Sequence, residues 1–469
     1  MIFKRFEVPG LAHFSYVVGC LTAGKGAVVD PRRDVDVYIQ FATKQGLEIT
    51  HVLETHIHAD YVSGARELVH LTGAQLCLSA YDTDERYEVV YPHRDLSDGE
   101  AIELGSVQIR ARHTPGHTPE HLSFLIYDCS RSSEVPMIML SGDFLFVGAL
   151  GRPDLLGEDQ KQAMAEQLYA SVRNTLTGLP DGLEIHPAHG AGSMCGAGMS
   201  GRSTSTLGFE RIANPYLQPD LSQGEFIEKI LSALQPAPPY FQRMKRVNSE
   251  GPPFLDGLPG LNANEASAFR RFMEEGYLVI DLRDQVSFGA GHIPGSFGIG
   301  AGVNFPVWAS WVVPYETPLL LVSPDRKTTE SAVRGLVRVG LDDVRGDLEG
   351  GMEGWLQAGY PVEHTTQLTP EELQQRMQEE PDIQILDVRT DAERGASAIP
   401  GSLHIRCNEI RECLDQVPTD GGALVLVCGS GYRSTVAASI LERAGFKNLI
   451  NLTGGMMAWQ RDELLVERA

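Results

Sequence analysis

The sequence predicts an α/β protein of three domains, and three observations carry that prediction. Short apolar runs such as VVD (28–30), HVLETH (51–56), VQIRARH (107–113) and PMIMLSGD (136–143) alternate with helical patterns, notably EDQKQAMAEQLYASVRNTL (158–176). A proline- and glycine-rich stretch with a small basic cluster, QPAPPYFQRMKRVNSEGPPFLDGLPG (235–260), then interrupts the alternation. Beyond it the chain repeats: Asp281 and Asp387, Arg283 and Arg389, and Pro294 and Pro400 are each 106 positions apart. The second halves agree too, with LLLVS ending at Ser323 against LVLVC ending at Cys428, and GGMEGW (350–355) against GGMMAW (454–459). These signals set expected boundaries at 1–240, a linker over 241–260, a middle unit over 261–365 and a last unit over 366–469.

In chain order, FSYVV (14–18) and GAVVD (26–30) read as a hairpin. The strands that follow end in histidine or aspartate, which places metal-binding donors at strand C-termini, the edge where α/β folds carry their chemistry. In the repeats, apolar runs such as YLVI, PLLLV, IQILDV and ALVLV alternate with helical patterns such as STVAASILERAGF. Each repeat is therefore expected to be a parallel sheet flanked by helices.

Composition narrows the partners. With 469 residues, a formal charge of −23 and a pI near 5.0, the balance argues against nucleic acid or an anionic membrane as partner, since each requires a basic face, and leaves room only for local basic patches that hold small anions. Seven cysteines form no paired framework, which reads as a reduced, cytoplasmic protein. The stretch before Cys20 contains Glu7, Pro9, His13 and Ser15 and so has no apolar signal core. No apolar run approaches the roughly 18 residues of a membrane span. Cys407 and Cys413, six positions apart around the helix-like CNEIREC, have the wrong spacing for a metal pair.

Chemistry concentrates in two places. ETHIHADYVSG (54–64) carries His56, His58 and Asp60 in metal-binding order, but Tyr61 stands where a further donor would complete a second site. THIHAD (55–60), TPGHT (114–118), SGD (141–143) and PAHG (187–190) together resemble the metallo-β-lactamase superfamily, which implies an αββα sandwich over the first domain. In hydrolases of that superfamily two zinc ions share the cluster and position 61 is histidine. Tyrosine binds zinc poorly because its hydroxyl, of pKa about 10, must first lose its proton. The branch resembled most is the persulfide dioxygenases, which implies one Fe(II) per chain on two imidazoles and a carboxylate. Carried over by motif, the ligands are His56, His117 and Asp143, with His58, Asp60 and His189 orienting them. A single zinc on His56, His58 and His117 is the alternative. Tyr61 is a candidate substrate contact or simply a packed aromatic. Cys195, in the glycine-rich HPAHGAGSMCG (186–196), is a candidate sulfur relay or a small buried hydrophobe. Arg152 and Asp154 in GALGRPDL are expected to brace a loop as an ion pair.

The second place is CGSGYRS (428–434), a cysteine loop between a strand and a helix N-terminus, where backbone N–H groups stabilise a thiolate. This resembles a rhodanese loop. The resemblance implies that Cys428 carries sulfane sulfur, Arg433 binds the anionic donor or acceptor, and Gly429 and Gly431 curl the backbone round the sulfur. The middle repeat has SPDRKT from Ser323: no thiol, a proline without N–H and an added carboxylate. It reads as a rhodanese-like scaffold, spacer or oligomer surface without catalysis.

The fold expected is thus an αββα metallo-β-lactamase sandwich followed by two rhodanese-like α/β domains. The activity expected is a persulfide dioxygenase-sulfurtransferase of sulfide detoxification. It oxidises a thiol persulfide of glutathione, coenzyme A or cysteine with O2 to sulfite and transfers sulfur through Cys428 to give thiosulfate, in a dimer or tetramer. The competing readings are a glyoxalase-II-like zinc thioester hydrolase and a non-enzymatic sulfur carrier. The sequence leaves open the carrier thiol, the oligomer, any channelling between the sites, and the roles of Cys195 and Cys20.

Overall fold

The structure, a computed structural model, describes residues 1–83, 85–380, 382–418 and 422–467. Its first compact unit contains Met1–Asp256 and is built on two six-stranded sheets. One sheet runs in sequence order: Ile2–Val8, His13–Cys20, Lys25–Val29, Glu48–Leu53, Gln75–Ser79 and Arg94–Leu96. The other runs Ser205–Thr206, Glu184–Pro187, Ile138–Gly142, Leu122–Asp128, Val107–His113 and Ala101–Glu103. The expected hairpin is present, with Tyr16 opposite Val29 and Val18 opposite Ala27.

Alternation along the strands decides the layering. Tyr16, Val18, Ala27 and Val29 pack with Ile109, Phe124, Ile126 and Leu140 of the other sheet in one dry core. Their neighbours point the opposite way. Val17, Val28 and Val52 meet Tyr38, Ala42 and Leu68 of the helices Asp36–Gln45 and Ala65–Thr72. Leu125, Met139 and Ile185 meet Leu168, Val172 and Phe226 of Lys161–Thr175 and Gln223–Ser232. Strands with both faces apolar need a cover on each side, so the result is the four-layer αββα sandwich.

The segment expected as a linker over 241–260 is not one throughout. Tyr240–Glu250 is a helix, because Tyr240, Phe241, Met244, Lys245 and Asn248 recur on one buried face and the preceding prolines sit where a helix tolerates them. Asn248 clamps the metal-motif loop: its Nδ2 donates to the carbonyls of His58 (2.9 Å) and Tyr61 (2.8 Å), and its Oδ1 accepts from Ser63 N (2.9 Å). CNEIREC also differs from expectation. It forms turns leading into the short 3-10 helix Leu414–Gln416, and Cys407 is buried, with its Sγ on the carbonyl of Arg433 (3.3 Å).

The two repeats lie in the second unit and share one topology. In the first, the sheet order is Ala263–Asn264, Val344–Leu348, Leu319–Val322, Leu278–Asp281, Phe297–Gly298; in the second it is Thr366–Leu368, Leu449–Leu452, Leu424–Val427, Gln384–Asp387, Leu403–His404. All neighbours are parallel. Among the described residues no helix is long and apolar enough to cross a membrane.

Candidate metal centre and sulfur-transfer loop

His56 follows the strand Glu48–Leu53, His117 follows Val107–His113, Asp143 follows Ile138–Gly142, and His189 follows Glu184–Pro187, so four strand ends converge at one edge. Gly142 turns at a φ of +55°, and a Cβ there would meet His121 Nε2 at 2.4 Å. The strand thus delivers Asp143 only because position 142 has no side chain.

Hydrogen bonds fix which atoms of the cluster are bare. Thr55 Oγ1 gives its only proton to Asp30 Oδ2 (3.0 Å), so at 2.9 Å it must accept from His56 Nδ1. His117 Nδ1 faces the carbonyl of Arg152 at 2.8 Å and must donate to it. Each ring therefore keeps its proton on Nδ1 and presents a lone pair at Nε2. Burial, and then the neighbouring histidines, hold both pKa values well below the ordinary range, so both imidazoles are neutral. Asp143 Oδ1 accepts from His189 Nδ1 (2.7 Å), and its backbone N–H donates to His121 Nε2 (3.0 Å). That leaves Asp143 Oδ2 at 3.7 Å from His56 Nε2 and 3.4 Å from His117 Nε2, and all three buried atoms lack a hydrogen-bond partner.

Three bare, converging donors are what a cation requires. The donor set of two neutral imidazoles and one carboxylate fits iron. Among the described residues two further groups have donor atoms within 4.8 Å of one another: Asp60, His189 and Cys195, and Asp30, Glu54 and His58. The last is occupied by its own bonds. Asp30 holds Thr55 through N (2.7 Å) and Oγ1, and Ser63 donates to Glu54 (2.6 Å). Burial, reinforced by Asp30, pushes Glu54 up to about 8.

The expected orienting residues fall round this cluster. His58 Nε2 lies 3.2 Å from Asp30 Oδ1 and 3.5 Å from Glu54 Oε2, while its Nδ1 has no partner. His189 bridges Asp143 and Asp60, its Nε2 at 2.9 Å from Asp60 Oδ2 as an ion pair rather than an aligned hydrogen bond. Burial opposes a charge on His189, but the two carboxylates outweigh it and raise its pKa well above the ordinary value.

Tyr61 is fully buried, its hydroxyl donates to the carbonyl of Asp30 (3.3 Å), and its ring packs 4.1 Å from His13 and 4.6 Å from His58. Burial and the surrounding carboxylates raise its pKa, so it stays a neutral phenol. Cys195 is buried beside Asp60 and His189, and burial first, then Asp60 and Asp143, push its thiol up well above the ordinary value. The Arg152–Asp154 pair is bidentate at 2.7 and 2.8 Å and nearly buried.

Sequence reading missed several members. Asp30 carried the only available signal, a carboxylate at a strand end. His121, His13 and Lys245 gave none. His13 is buried with neither ring nitrogen bonded, and Lys245 is buried with Nζ on the carbonyl of Ile57 (3.3 Å).

In the last repeat, Cys428 leaves the strand Leu424–Val427 and its Sγ accepts from Gly431 N (3.2 Å) and Ser434 Oγ (3.3 Å). Gly431 has a φ of +96°, which lets its N–H turn to the sulfur. The carbonyls of Cys428 and Gly429 are taken by Met456 N (2.8 Å) and Met457 N (3.0 Å), so the loop presents donors to the sulfur and none of these acceptors. The Arg433 guanidinium is bound bidentately to Glu393 at 2.7 and 2.6 Å, a charge-assisted pair that fixes the side chain beside the loop.

Comparison with known proteins gives concordant findings. Residues 8–189 match the metallo-beta-lactamase superfamily, and residues 265–358 and 369–462 match the rhodanese-like domain. The mitochondrial persulfide dioxygenase ETHE1 of Homo sapiens is 29% identical over 234 residues, covering 49% of this chain and 80% of that protein. A hydroxyacylglutathione hydrolase of Polaromonas is 30% identical over 178 residues, covering 38% of this chain and 62% of that one. The crystal structure of a metallo-beta-lactamase from Staphylococcus aureus is 35% identical with a TM-score of 0.63, covering 74% of this chain and 98% of that chain.

Proposed function

Because the chain belongs to the metallo-β-lactamase superfamily, carries two rhodanese domains behind that fold and is related to ETHE1-type persulfide dioxygenases, we propose that it is a persulfide dioxygenase-sulfurtransferase. The reaction is RSSH + O2 + H2O → RSH + sulfite + 2 H⁺. Cys428 then passes a second sulfane sulfur on, and Cys–SSH with sulfite gives Cys–SH and thiosulfate. The observation that carries the reading is the trio of unpartnered atoms on His56, His117 and Asp143, beside a Tyr61 whose hydroxyl is already engaged.

His56, His117 and Asp143 would hold one Fe(II), which when bound supplies the redox centre at which dioxygen and the sulfane sulfur react. The chain's own groups prepare that site. Thr55 and the carbonyl of Arg152 keep the ring protons on the outer nitrogens, and His189 occupies the outer oxygen of Asp143. The buried His58, Asp60 and His189 surround it, with His189 held between Asp143 and Asp60. Thiol persulfides of glutathione, coenzyme A or cysteine all satisfy the chemistry, and a cytoplasmic dimer or tetramer is the assembly proposed.

Metal analysis of anaerobically purified protein with oxygen uptake on glutathione persulfide tests this. One iron per chain with rapid uptake is the expected result. Zinc with thioester cleavage would establish a hydrolase, and persulfide on Cys428 without turnover would establish a carrier.

A further inference from the structure

We propose that Lys245 recognises the persulfide as an anion, its buried ammonium pairing with the terminal sulfur of R–S–S⁻ at the metal centre, so that the last helix of the first unit sets which sulfur compounds are accepted. The proposal rests on the dioxygenase reading given above.

Lys245 and Asn248 stand three positions apart on the buried face of the helix Tyr240–Glu250, and both bond the loop that carries the metal motif. Asn248 takes the carbonyls of His58 and Tyr61, while Lys245 Nζ donates to the carbonyl of Ile57 at 3.3 Å. Clamping a loop needs no charge, as Asn248 shows. Lys245 nevertheless brings one into the same place, fully buried.

An ammonium has three N–H donors, and of these one meets the Ile57 carbonyl, with the Tyr87 ring centre 5.3 Å from Nζ. Among the described residues no carboxylate pairs with it directly. Glu120 is the acid that acts on it, and that side chain already accepts from the N–H of Ile57 through Oε1 at 2.9 Å. A buried charge without a direct partner is costly, and a bound anion removes that cost.

The electrostatics locate the charge at the edge where the metal donors converge. It acts on the rings of His56, His117 and His121, and Cys195 acts on it in turn. Other cations at that edge are occupied. Arg152 is bound by Asp154 and by the carbonyls of Met194 and Gln235, and His189 lies between Asp143 and Asp60.

This selects the ligand class. The terminal S–H of a persulfide is more acidic than that of its parent thiol, so the persulfide reaches the site charged where a thiol or a thioester is neutral. A cation in a buried site favours the charged compound strongly over the neutral ones.

The test uses full-length, iron-loaded protein with two variants of opposite expected sign. Lys245→Gln keeps a donor for the Ile57 carbonyl and removes the positive charge; Glu120→Gln keeps an acceptor for the Ile57 N–H and removes the negative charge that acts on Lys245. Oxygen uptake gives KM for glutathione persulfide, and equilibrium dialysis of radiolabelled sulfite without oxygen gives a binding readout that needs no turnover. In Lys245→Gln, KM should rise about tenfold with kcat changed less, and sulfite should bind about tenfold more weakly. In Glu120→Gln both should move the other way, by about threefold. An unchanged KM in folded, iron-loaded Lys245→Gln, or a shift in the same direction in both variants, marks a structural role and overturns the proposal. Should Lys245→Gln not fold or not hold iron, Glu120→Gln decides alone, and a KM that stays or rises overturns it. If the unaltered protein takes up no oxygen with glutathione persulfide, the dioxygenase reading itself fails and this proposal falls with it.

Discussion

In both repeats an aspartate at the end of a central strand grips the arginine two residues on: Arg283 Nε lies 2.9 Å from Asp281 Oδ1, and Arg389 Nε 3.0 Å from Asp387 Oδ1. Each arginine also caps a carbonyl eight residues downstream, Gly291 at 2.7 Å and Ser397 at 2.5 Å. Each tryptophan of the GGM motif donates to a carbonyl six residues on, Trp355 to Pro361 at 2.9 Å and Trp459 to Leu465 at 3.0 Å. At the third strand end they part. Cys428 receives two donors, whereas Ser323 Oγ turns to the carbonyl of Asp325 (2.9 Å), and Asp325 binds Thr328 N (2.8 Å) as an ordinary helix cap. The opposition of Glu393 and Arg433 has no counterpart either, since Ser287 stands 106 positions before Glu393 and bonds Asp284 (2.6 Å). The contacts that hold the two repeats therefore lie on different residues from those around Cys428 and Ser323, and the second set can change while the first is kept.

The largest effect expected from this contrast is on sulfur transfer. Cys428→Ser should lower it by more than about a thousandfold while sparing oxygen uptake, and Ser323→Cys should restore none of it, because Pro324 brings no N–H and Asp325 repels an anion. Loss of both activities in Cys428→Ser, or persulfide trapped on a cysteine at position 323, would break the comparison.

Next come the shared ion pairs. Asp281→Ala and Asp387→Ala each strand a largely buried arginine and should each cost about 3–5 kcal/mol in a denaturation experiment. A clear inequality between the two would show that the repeats are held by different contacts.

Smaller, and again equal, are Trp355→Phe and Trp459→Phe, which remove one hydrogen bond each at about 1 kcal/mol.

The smallest effect is one of pH and belongs to the last repeat alone. The Arg433 hydrogen bonds, working against burial, push Glu393 down to about 2 from its ordinary 4.5. A depressed carboxylate stabilises the fold above its unfolded pKa and ceases to do so as pH falls through its folded one. Stability supplied by this pair is thus present above pH 4.5 and lost progressively towards about 2. Glu393 is partly exposed, so the contribution is at most about 1 kcal/mol. Glu393→Gln should flatten that part of the acid denaturation profile, and a profile identical to that of the unaltered protein would count against the pair.

The amino-acid sequence determined what is local. Continuous apolar runs give strands covered on both faces, and motifs such as THIHAD, SGD and CGSGYRS place donors directly at strand ends. Those signals lie within a few residues of the atoms they position, so periodicity and spacing reveal them. The repeat was legible for the same reason, since equal offsets preserve equal strands. Only the tertiary structure decided the rest. It turned part of an expected linker into a helix whose Asn248 clamps the loop of His58 and Tyr61, and it spent Arg433 on a glutamate forty positions earlier. It also left His56, His117 and Asp143 with bare atoms that meet. Hydrogen bonds and charge pairs act over a few ångströms of space whatever the length of chain between the partners, and no pattern along one sequence records which distant groups will fall within that reach.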